Sequence, residues 1–418
     1  MNQLQLAFEK VTQEFYKPAN LIGLMIANKL KKKGVKLSNA ERKKVGRLAY
    51  KNLLANKSKF DLGVKRREKL PKLTLGPRDF DFVRKPLDET FEKVIRTVSK
   101  DVARLVYRTI KHESVINLAA ESLLLDQFSA RLYRRWRKAL DSLQLFILVA
   151  REIGATAHEH LSRRKFADKK FLIASLSRLH ARACQVAAEI DTLLRAGYAD
   201  GAHARWRTLH EISVVAWLLS KHGENLAERY WEHVHVEALR GANQLNKHAA
   251  MLGERRFSKR ELALMQAEVD RLCQRFGQSY KNNHGWACPL FASNSNPNFS
   301  QLEELAEFGH FRPYYKMASH NVHAEPKGAT FRIGLLPGSE GKVILAGPSN
   351  AGLDEVGGWT AYSLLNIAYS LATVANTIDG IVYGQVLVLL KEEVLRNFAA
   401  ACTSTVIPRQ SGLLSRSV

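Results

Sequence analysis

A chain of 418 residues with 46% hydrophobic side chains can bury a large core and is long enough for two or three domains. Its four cysteines are scattered without a Cys-x-x-Cys pair, which argues against a disulfide framework or a thiolate zinc site and favours a reducing, cytoplasmic location. The formal net charge of +24 is concentrated in residues 1–170, which hold 39 Lys and Arg against 18 Asp and Glu, and this uneven distribution predicts a polyanionic partner, most often nucleic acid.

Residues 1–112 are predicted to be a basic helical region that binds nucleic acid. The opening run MNQLQLAFEKVTQEF lacks the basic and then apolar pattern of a signal peptide, so we expect a protein that is not exported. Ser38 followed by Glu41 is the pattern of a capping box and predicts a helix from about Asn39 to Ala55. Its long basic side chains suit phosphate contacts, and a solvated surface without a partner is the alternative. Those side chains are Arg42, Lys43, Lys44, Arg47 and Lys51.

Within this first region, the proline-containing run KRREKLPKLTLGPRDFDFVRKP is typical of an irregular connector. After the region, residues 113–165 are predicted to form a long helical connector. Within that helix Arg134, Arg135 and Arg137 surround Trp136, which makes the three arginines candidate substrate-binding residues beside a ring that could stack on a base. The alternative is that the arginines cover a tryptophan that faces the core.

Residues 166–400 are predicted to form a nearly neutral helical bundle with a small β-hairpin, and residues 401–418 to form a tail. The run TFRIGLLPGSEGKVILAGPS predicts the hairpin, because two short apolar segments flank a Pro-Gly-Ser turn. The apolar stretch from Trp359 to Leu390 is long enough to span a bilayer, but regularly placed polar residues favour a buried core helix or helix pair over a membrane span. The predicted fold class is therefore mainly α, a helical C-terminal bundle that follows a basic helical N-terminal region.

One helix of the bundle, GAHARWRTLHEISVVAWLLSKHG, carries most of its charged residues at one end. Arg207, His210 and Glu211 lie on one face, and Arg205 lies about 140° away from His210, within the arc of the apolar stripe. Charged groups on a central helix need partners, because an unpaired buried charge is costly. The apolar stripe of this helix is Trp206, Leu209, Ile212, Ala216 and Leu219.

A second helix, YYKMASHNVHAEPKG, is closed by Pro326 and Gly328. Its predicted core residues are Tyr315, Ala318 and Val322. Four polar residues at positions i, i+3, i+4 and i+7 share a different face. They are Lys316, Ser319, His320 and His323.

If these two helices face each other, their polar residues form one pocket. Histidines transfer protons near pH 7 and cations stabilise a phosphorane, so the pocket predicts RNA binding, favoured over DNA, with metal-independent RNA cleavage and no cofactor. The predicted catalytic residues are Arg205, His210, His320 and His323. The predicted substrate-binding residues of the same pocket are Arg207, Lys316, Ser319 and Lys327.

Two alternatives use the same residues. The pocket could hold a phosphate, a nucleotide or a partner without catalysis, which would make the chain a binding protein. His320 and His323 are separated by one helical turn and could instead hold a metal ion with Glu325 and Glu211, as in a metal-dependent hydrolase.

Four segments carry a resemblance to an uncharacterised bacterial domain family, the family of unknown function number 5677. They are ARWRTLHEI, LAERYWEHVHVEA, FRPYYKMASHNVHAEPKG and LAGPSNAGL, and the resemblance covers about residues 166–400. A looser resemblance is to the HEPN superfamily of all-helical ribonucleases, whose mark is R-x(4–6)-H, a spacing that Arg205 and His210 fit. That second resemblance implies a homodimer, metal-independent RNA cleavage and a role in bacterial defence.

Overall fold

The chain is mainly α-helical and has two compact units, Met1–Leu123 and Leu124–Val418. No strand occurs within the described ranges, which confirms the mainly α fold class. No helix among them is long and apolar enough to cross a membrane. The computed structural model describes residues 17–55, 57, 59, 61–63, 71–75, 77–292, 296–323, 325–335 and 344–403, without the side chains of 77–98, 101 and 164.

The first unit contains a pair of helices, α1 (Pro18–Lys32) and α2 (Asn39–Leu54). The predicted capping box is confirmed: the Ser38 N–H donates to Glu41 Oε2 over 2.7 Å, and the Glu41 N–H donates to Ser38 Oγ over 3.3 Å. The two helices approach so closely that a Cβ atom at Gly46 would lie 2.0 Å from the carbonyl oxygen of Ala19. Their small core consists of Ile26, Leu30, Val45 and Ala49.

Helix α3 (Pro77–Leu161) begins inside the segment predicted to be an irregular connector. Residues 71–75 are irregular and 64–70 lie outside the described residues, but 77–86 are helical, so that part of the prediction is wrong. The physical reason is that proline is favoured at the first position of a helix, where its missing N–H group has no partner to lose. The predicted helix over 113–165 is confirmed as far as Leu161, whereas the predicted domain boundaries stay predictions.

The second unit is a helical bundle. After α3 its helices are α4 (Lys170–Arg195), α5 (Ala199–His222), α6 (Glu224–Glu232), α7 (Val234–Leu252), α8 (Lys259–Phe276), α9 (Phe299–Leu305), α10 (Arg312–Val322), α11 (Pro326–Thr330), α12 (Leu353–Ala372) and α13 (Ile378–Thr403). The central helix α5 packs against α4, α10 and α12, and its predicted apolar stripe is buried throughout. Short 3₁₀ segments occur at Arg164–Lys169, Gln278–Lys281, Gly285–Leu290 and Gly309–Phe311.

The apolar stretch from Trp359 to Leu390 forms parts of α12 and α13, which pack against each other as the predicted helix pair. Most of α12 is buried in the bundle core. Gly357 permits a close crossing, because a Cβ atom there would lie 2.3 Å from the ring of Phe398.

The predicted β-hairpin is not present in the described part of its segment. Residues 331–335 and 344–349 are irregular, and 336–343 lie outside the described residues. The backbone groups that a hairpin would pair have other partners: the N–H groups of Ile333 and Gly334 donate to the Asp200 carboxylate over 3.0 and 3.4 Å. The Ser349 N–H donates to the carbonyl oxygen of Gly197 over 2.8 Å.

Candidate functional site

Helix α10 docks its Tyr315 and Ala318 against the bundle, and these two predicted core residues are buried. Val322 is 51% exposed, so its predicted core position is wrong. The helix ends at Val322, and the next residue, His323, is extended. The chain then passes so close to the helix that a Cβ atom at Gly328 would lie 2.0 Å from the carbonyl oxygen of His320. This docking sets the polar residues of α10 beside those at the start of α5.

Four residues meet at this contact between α5 and α10, and we call Arg207, Glu211, Tyr315 and His323 the Arg207 cluster. The Arg207 Nε–H group donates to Glu211 Oε1 over 3.1 Å, and the Tyr315 hydroxyl donates to the same oxygen over 2.6 Å. The Arg207 guanidinium also lies 4.8 Å from the centre of the Tyr315 ring. Its Nη1–H group donates to Nε2 of His323 over 3.4 Å, across 116 residues of sequence.

The charges of the Arg207 cluster are fixed by its hydrogen bonds. Burial alone would lower the pKa of Arg207, but Tyr315 and Glu211 outweigh that effect and raise it, so the guanidinium stays charged. Burial, followed by the neighbouring Glu211 carboxylate, raises the pKa of Tyr315 well above its usual range. Tyr315 is therefore a neutral hydroxyl donor, and the cluster holds one cation beside an imidazole nitrogen that accepts a hydrogen bond.

His210 is buried behind this cluster and makes a hydrogen-bonded pair with Glu303. The His210 Nε2 to Glu303 Oε1 distance is 2.8 Å, and both side chains are 1% exposed. Arg312 donates to the second carboxylate oxygen of Glu303, and its guanidinium lies 5.1 Å from the Tyr315 ring centre. Aromatic rings surround the His210 imidazole: Trp206, Phe299, Phe308, Phe311 and Tyr315. This position makes His210 a satisfied core residue that supports α5, out of reach of a substrate.

Arg205 faces α4, and its guanidinium pairs with the Glu189 carboxylate and donates to Thr208 Oγ1 over 3.3 Å. His320 is paired through Nδ1 with Glu325. The structure therefore brings Arg207 and His323 together, and it commits Arg205, His210 and His320 to carboxylates of Glu189, Glu303 and Glu325. The pocket predicted from Arg205 and His210 does not form as one site.

The other predicted substrate-binding residues on and after α10 are on the surface. Lys316 and Lys327 are exposed, and neither has a partner that the described residues define. The Ser319 hydroxyl donates to the carbonyl oxygen of Tyr315 over 2.8 Å, so its hydrogen is used within the helix. Both lysine side chains are therefore accessible to solvent.

Trp136 is a core residue, so the predicted stacking of a base on its ring is wrong and the alternative is confirmed. Its side chain is 1% exposed, and its Nε1–H group donates to Asn350 Oδ1 over 2.6 Å. Arg135 lies 4.5 Å above the ring and donates to the carbonyl oxygens of Asn350 and Ala401 over 2.9 and 3.1 Å. Arg134 and Arg137 are exposed, and Arg137 lies 3.6 Å from Asp141.

A second candidate surface lies in the first unit, on α2. Exposed basic side chains one helical turn apart line a shallow groove there, and no carboxylate contributes to its lining. We call Lys43, Lys44, Arg47 and Lys51 the α2 cationic groove; Ala40 and Leu48 complete its lining. Lys33, the residue directly after α1, makes a structural contact instead, since its Nζ donates to the carbonyl oxygen of Lys72 over 2.9 Å.

Among the described residues, one group of three side chains has donor atoms close enough to share a metal ion. These are Glu232, His235 and Glu268, whose donor atoms lie within 4.8 Å of one another. The predicted alternative, a metal held by His320 and His323, is not such a group within the described part of the chain.

Residues 174–340 match the Family of unknown function (DUF5677), which confirms the first predicted resemblance over that segment. The matched segment contains all four residues of the Arg207 cluster and none of the α2 cationic groove. Comparisons with curated proteins and with solved structures give no match. The looser resemblance to HEPN ribonucleases receives no support from these findings.

Proposed function

We propose that the chain binds nucleic acid through the α2 cationic groove, and RNA in preference to DNA. The observation that carries the proposal is the groove itself: four exposed cations on one face of a capped, packed helix, without an acidic residue in the lining. Long basic side chains in such a row contact successive phosphates and do not read bases. The uneven charge of the whole chain supports the same partner, since residues 171–418 hold 25 Lys and Arg against 22 Asp and Glu.

The magnitude of the expected salt effect follows from the number of cations. If all four contact phosphates of single-stranded RNA, the slope of log affinity against log salt is about −3, or a loss of about 50-fold between 50 and 200 mM salt. Fluorescence anisotropy with labelled RNA and DNA measures this slope. Replacing Lys43, Lys44, Arg47 and Lys51 together with Gln should remove it.

A matched control removes the same charge elsewhere. Four exposed cations of the second unit serve this purpose: Lys247, Arg256, Lys259 and Arg260, each replaced with Gln. The control variant should keep the wild-type slope to within about one unit. Equal losses in both variants would show that the affinity depends on net charge alone and not on the α2 cationic groove.

A second candidate function, RNA cleavage, is favoured by one observation, the contact between Arg207 and His323. In the proposed step the Arg207 guanidinium turns from His323 to the phosphate, and the freed Nε2 of His323 takes the proton of the 2′-hydroxyl as that oxygen bonds to phosphorus. The bond from phosphorus to the 5′-oxygen breaks, and His320 gives that oxygen a proton. Arg207 stabilises the charged phosphorane, while Glu211 and Tyr315 position its guanidinium. No metal ion takes part, and the 2′-hydroxyl requirement is the reason that RNA is favoured over DNA.

Three further proposals concern the location of the chain, its oligomeric state and its biological role. The four cysteines are free, which supports a reducing, cytoplasmic location. A homodimer and a role in bacterial defence follow from the catalytic hypothesis and depend on it. If purified protein binds RNA and leaves it uncut, the chain is a non-catalytic binding protein and both of those proposals fall.

A further inference from the structure

Three helices of the second unit bring one imidazole and two carboxylates to a common point. Glu232 is the last residue of α6, His235 lies in the first turn of α7, and Glu268 lies in the middle of α8. All three donor atoms lie within 4.8 Å of one another, and His235 Nε2 is 3.6 Å from Glu232 Oε2. The three side chains are between one fifth and one half exposed, so water reaches the site.

This donor set suits a divalent transition-metal ion. Glu232 and His235 form a Glu-x-x-His pair, and Glu268 comes from another helix. Helical bundles bind metal ions with this combination of a Glu-x-x-His pair and a glutamate from a different helix. Zn²⁺ binds imidazole nitrogen and carboxylate oxygen at about 2.0–2.2 Å and accepts three protein ligands plus water. Donor atoms up to 4.8 Å apart reach such an ion after small side-chain rotations, which their partial exposure permits.

Arg271 supplies the outer support that a metal-ligating carboxylate normally has. Its Nε–H group donates to Glu268 Oε2 over 2.9 Å, and its Nη2 group contacts Oε1 of the same carboxylate. A carboxylate has about four lone-pair sites, so Glu268 can accept from Arg271 and still ligate a metal ion.

We propose that Glu232, His235 and Glu268 bind one divalent transition-metal ion, of which Zn²⁺ is the best fit. The ion links α6, α7 and α8 and so stabilises their packing. This site shares no residue with the Arg207 cluster or the α2 cationic groove, so it is independent of the proposed function. RNA binding and RNA cleavage can each fail without affecting it.

The test uses the full chain without a histidine tag. Isothermal titration with ZnCl₂ measures the stoichiometry, and the visible absorption of bound Co²⁺ reports its ligands. We expect one ion per chain, and Glu232→Gln, His235→Ala and Glu268→Gln should each weaken binding by about tenfold or more. His248→Ala, an exposed histidine of α7, is the matched control and should bind as the wild type does.

Melting temperatures with and without Zn²⁺ provide a second readout that does not depend on titration heats. Zn²⁺ should raise the melting temperature of the wild type and of His248→Ala, and should not raise that of His235→Ala. The proposal is overturned if the wild type binds no Zn²⁺ at about 1 mM, or if His235→Ala binds it as tightly as the wild type.

Discussion

Glu303→Gln is the sharpest test of the buried pair that supports the Arg207 cluster. The Glu303 carboxylate is 1% exposed and accepts from His210 over 2.8 Å and from Arg312. A glutamine of the same shape offers one oxygen as acceptor and turns an NH₂ group towards the other donor, so one buried partner loses its hydrogen bond. Breaking a buried charged pair from one side costs about 3–5 kcal/mol. Because the amide keeps one bond, we expect a loss of about 3 kcal/mol of unfolding free energy.

The assay is guanidinium unfolding followed by tryptophan fluorescence. All six tryptophans lie in the second unit, so this signal reports the bundle alone. Glu304→Gln is the matched control, an exposed glutamate next to Glu303 in the same helix, and should change the unfolding free energy by less than about 0.5 kcal/mol. Equal stability of the two variants would refute the inference that Glu303 holds His210 and Arg312 in place.

Gly46→Ala should speed amide hydrogen exchange in α1 and α2 by about tenfold or more, measured by mass spectrometry, because its Cβ atom would meet the Ala19 carbonyl oxygen; unchanged exchange would contradict the close crossing. Lowering the pH from 7 to 4 should destabilise the bundle in the tryptophan assay. Burial lowers the pKa of His180 and His203 from 6.5 to about 4, so the unfolded chain takes up their protons first. The contribution of these two histidines to the free energy of unfolding is fully present above pH 6.5. Near pH 4 the free energy of unfolding is lower by up to about 3 kcal/mol per histidine. A flat profile would contradict their neutral, buried state. Arg207→Lys should slow any RNA cleavage about 10²-fold, measured on labelled RNA with and without EDTA, while RNA affinity stays unchanged.

Much of the fold could be predicted because the signals are local. The box formed by Ser38 and Glu41 fixes the start of α2 through two hydrogen bonds between residues three apart, and no distant contact is needed. The stripe on α5 follows from helical periodicity in the same way. The hairpin prediction was wrong because it also rested on a local signal. The contact that replaces the hairpin is distant: Asp200 of α5, more than a hundred residues earlier, accepts hydrogen bonds from the backbone N–H groups of Ile333 and Gly334.

The buried pair could have been found in part. Along α9 and its C-cap, Phe299, Leu302 and Ala306 mark one apolar arc, and at about 100° per residue Glu303 lies about 40° from Phe299 at the edge of that arc, whereas Glu304 lies about 140° from it. A glutamate at the edge of an apolar arc needs a partner if it is buried, which is a sequence signal for a buried ion pair. The identity of its partners required the tertiary placement of α9 against α5 and α10.

The choice between Arg205 and Arg207 shows how helical geometry decides which of two similar residues belongs to a site. Residues two apart on a helix point about 200° from each other, so one pocket cannot take both arginines. Arg205 lies within the arc of the apolar stripe, on the side that packs against α4, and forms an ion pair there with Glu189. Arg207 shares a face with Glu211, and that face is the one that α10 covers with Tyr315. A spacing rule that counts residues from an arginine to a histidine ignores this rotation. For this reason it selected Arg205 and His210, although the two side chains are bound to different carboxylates.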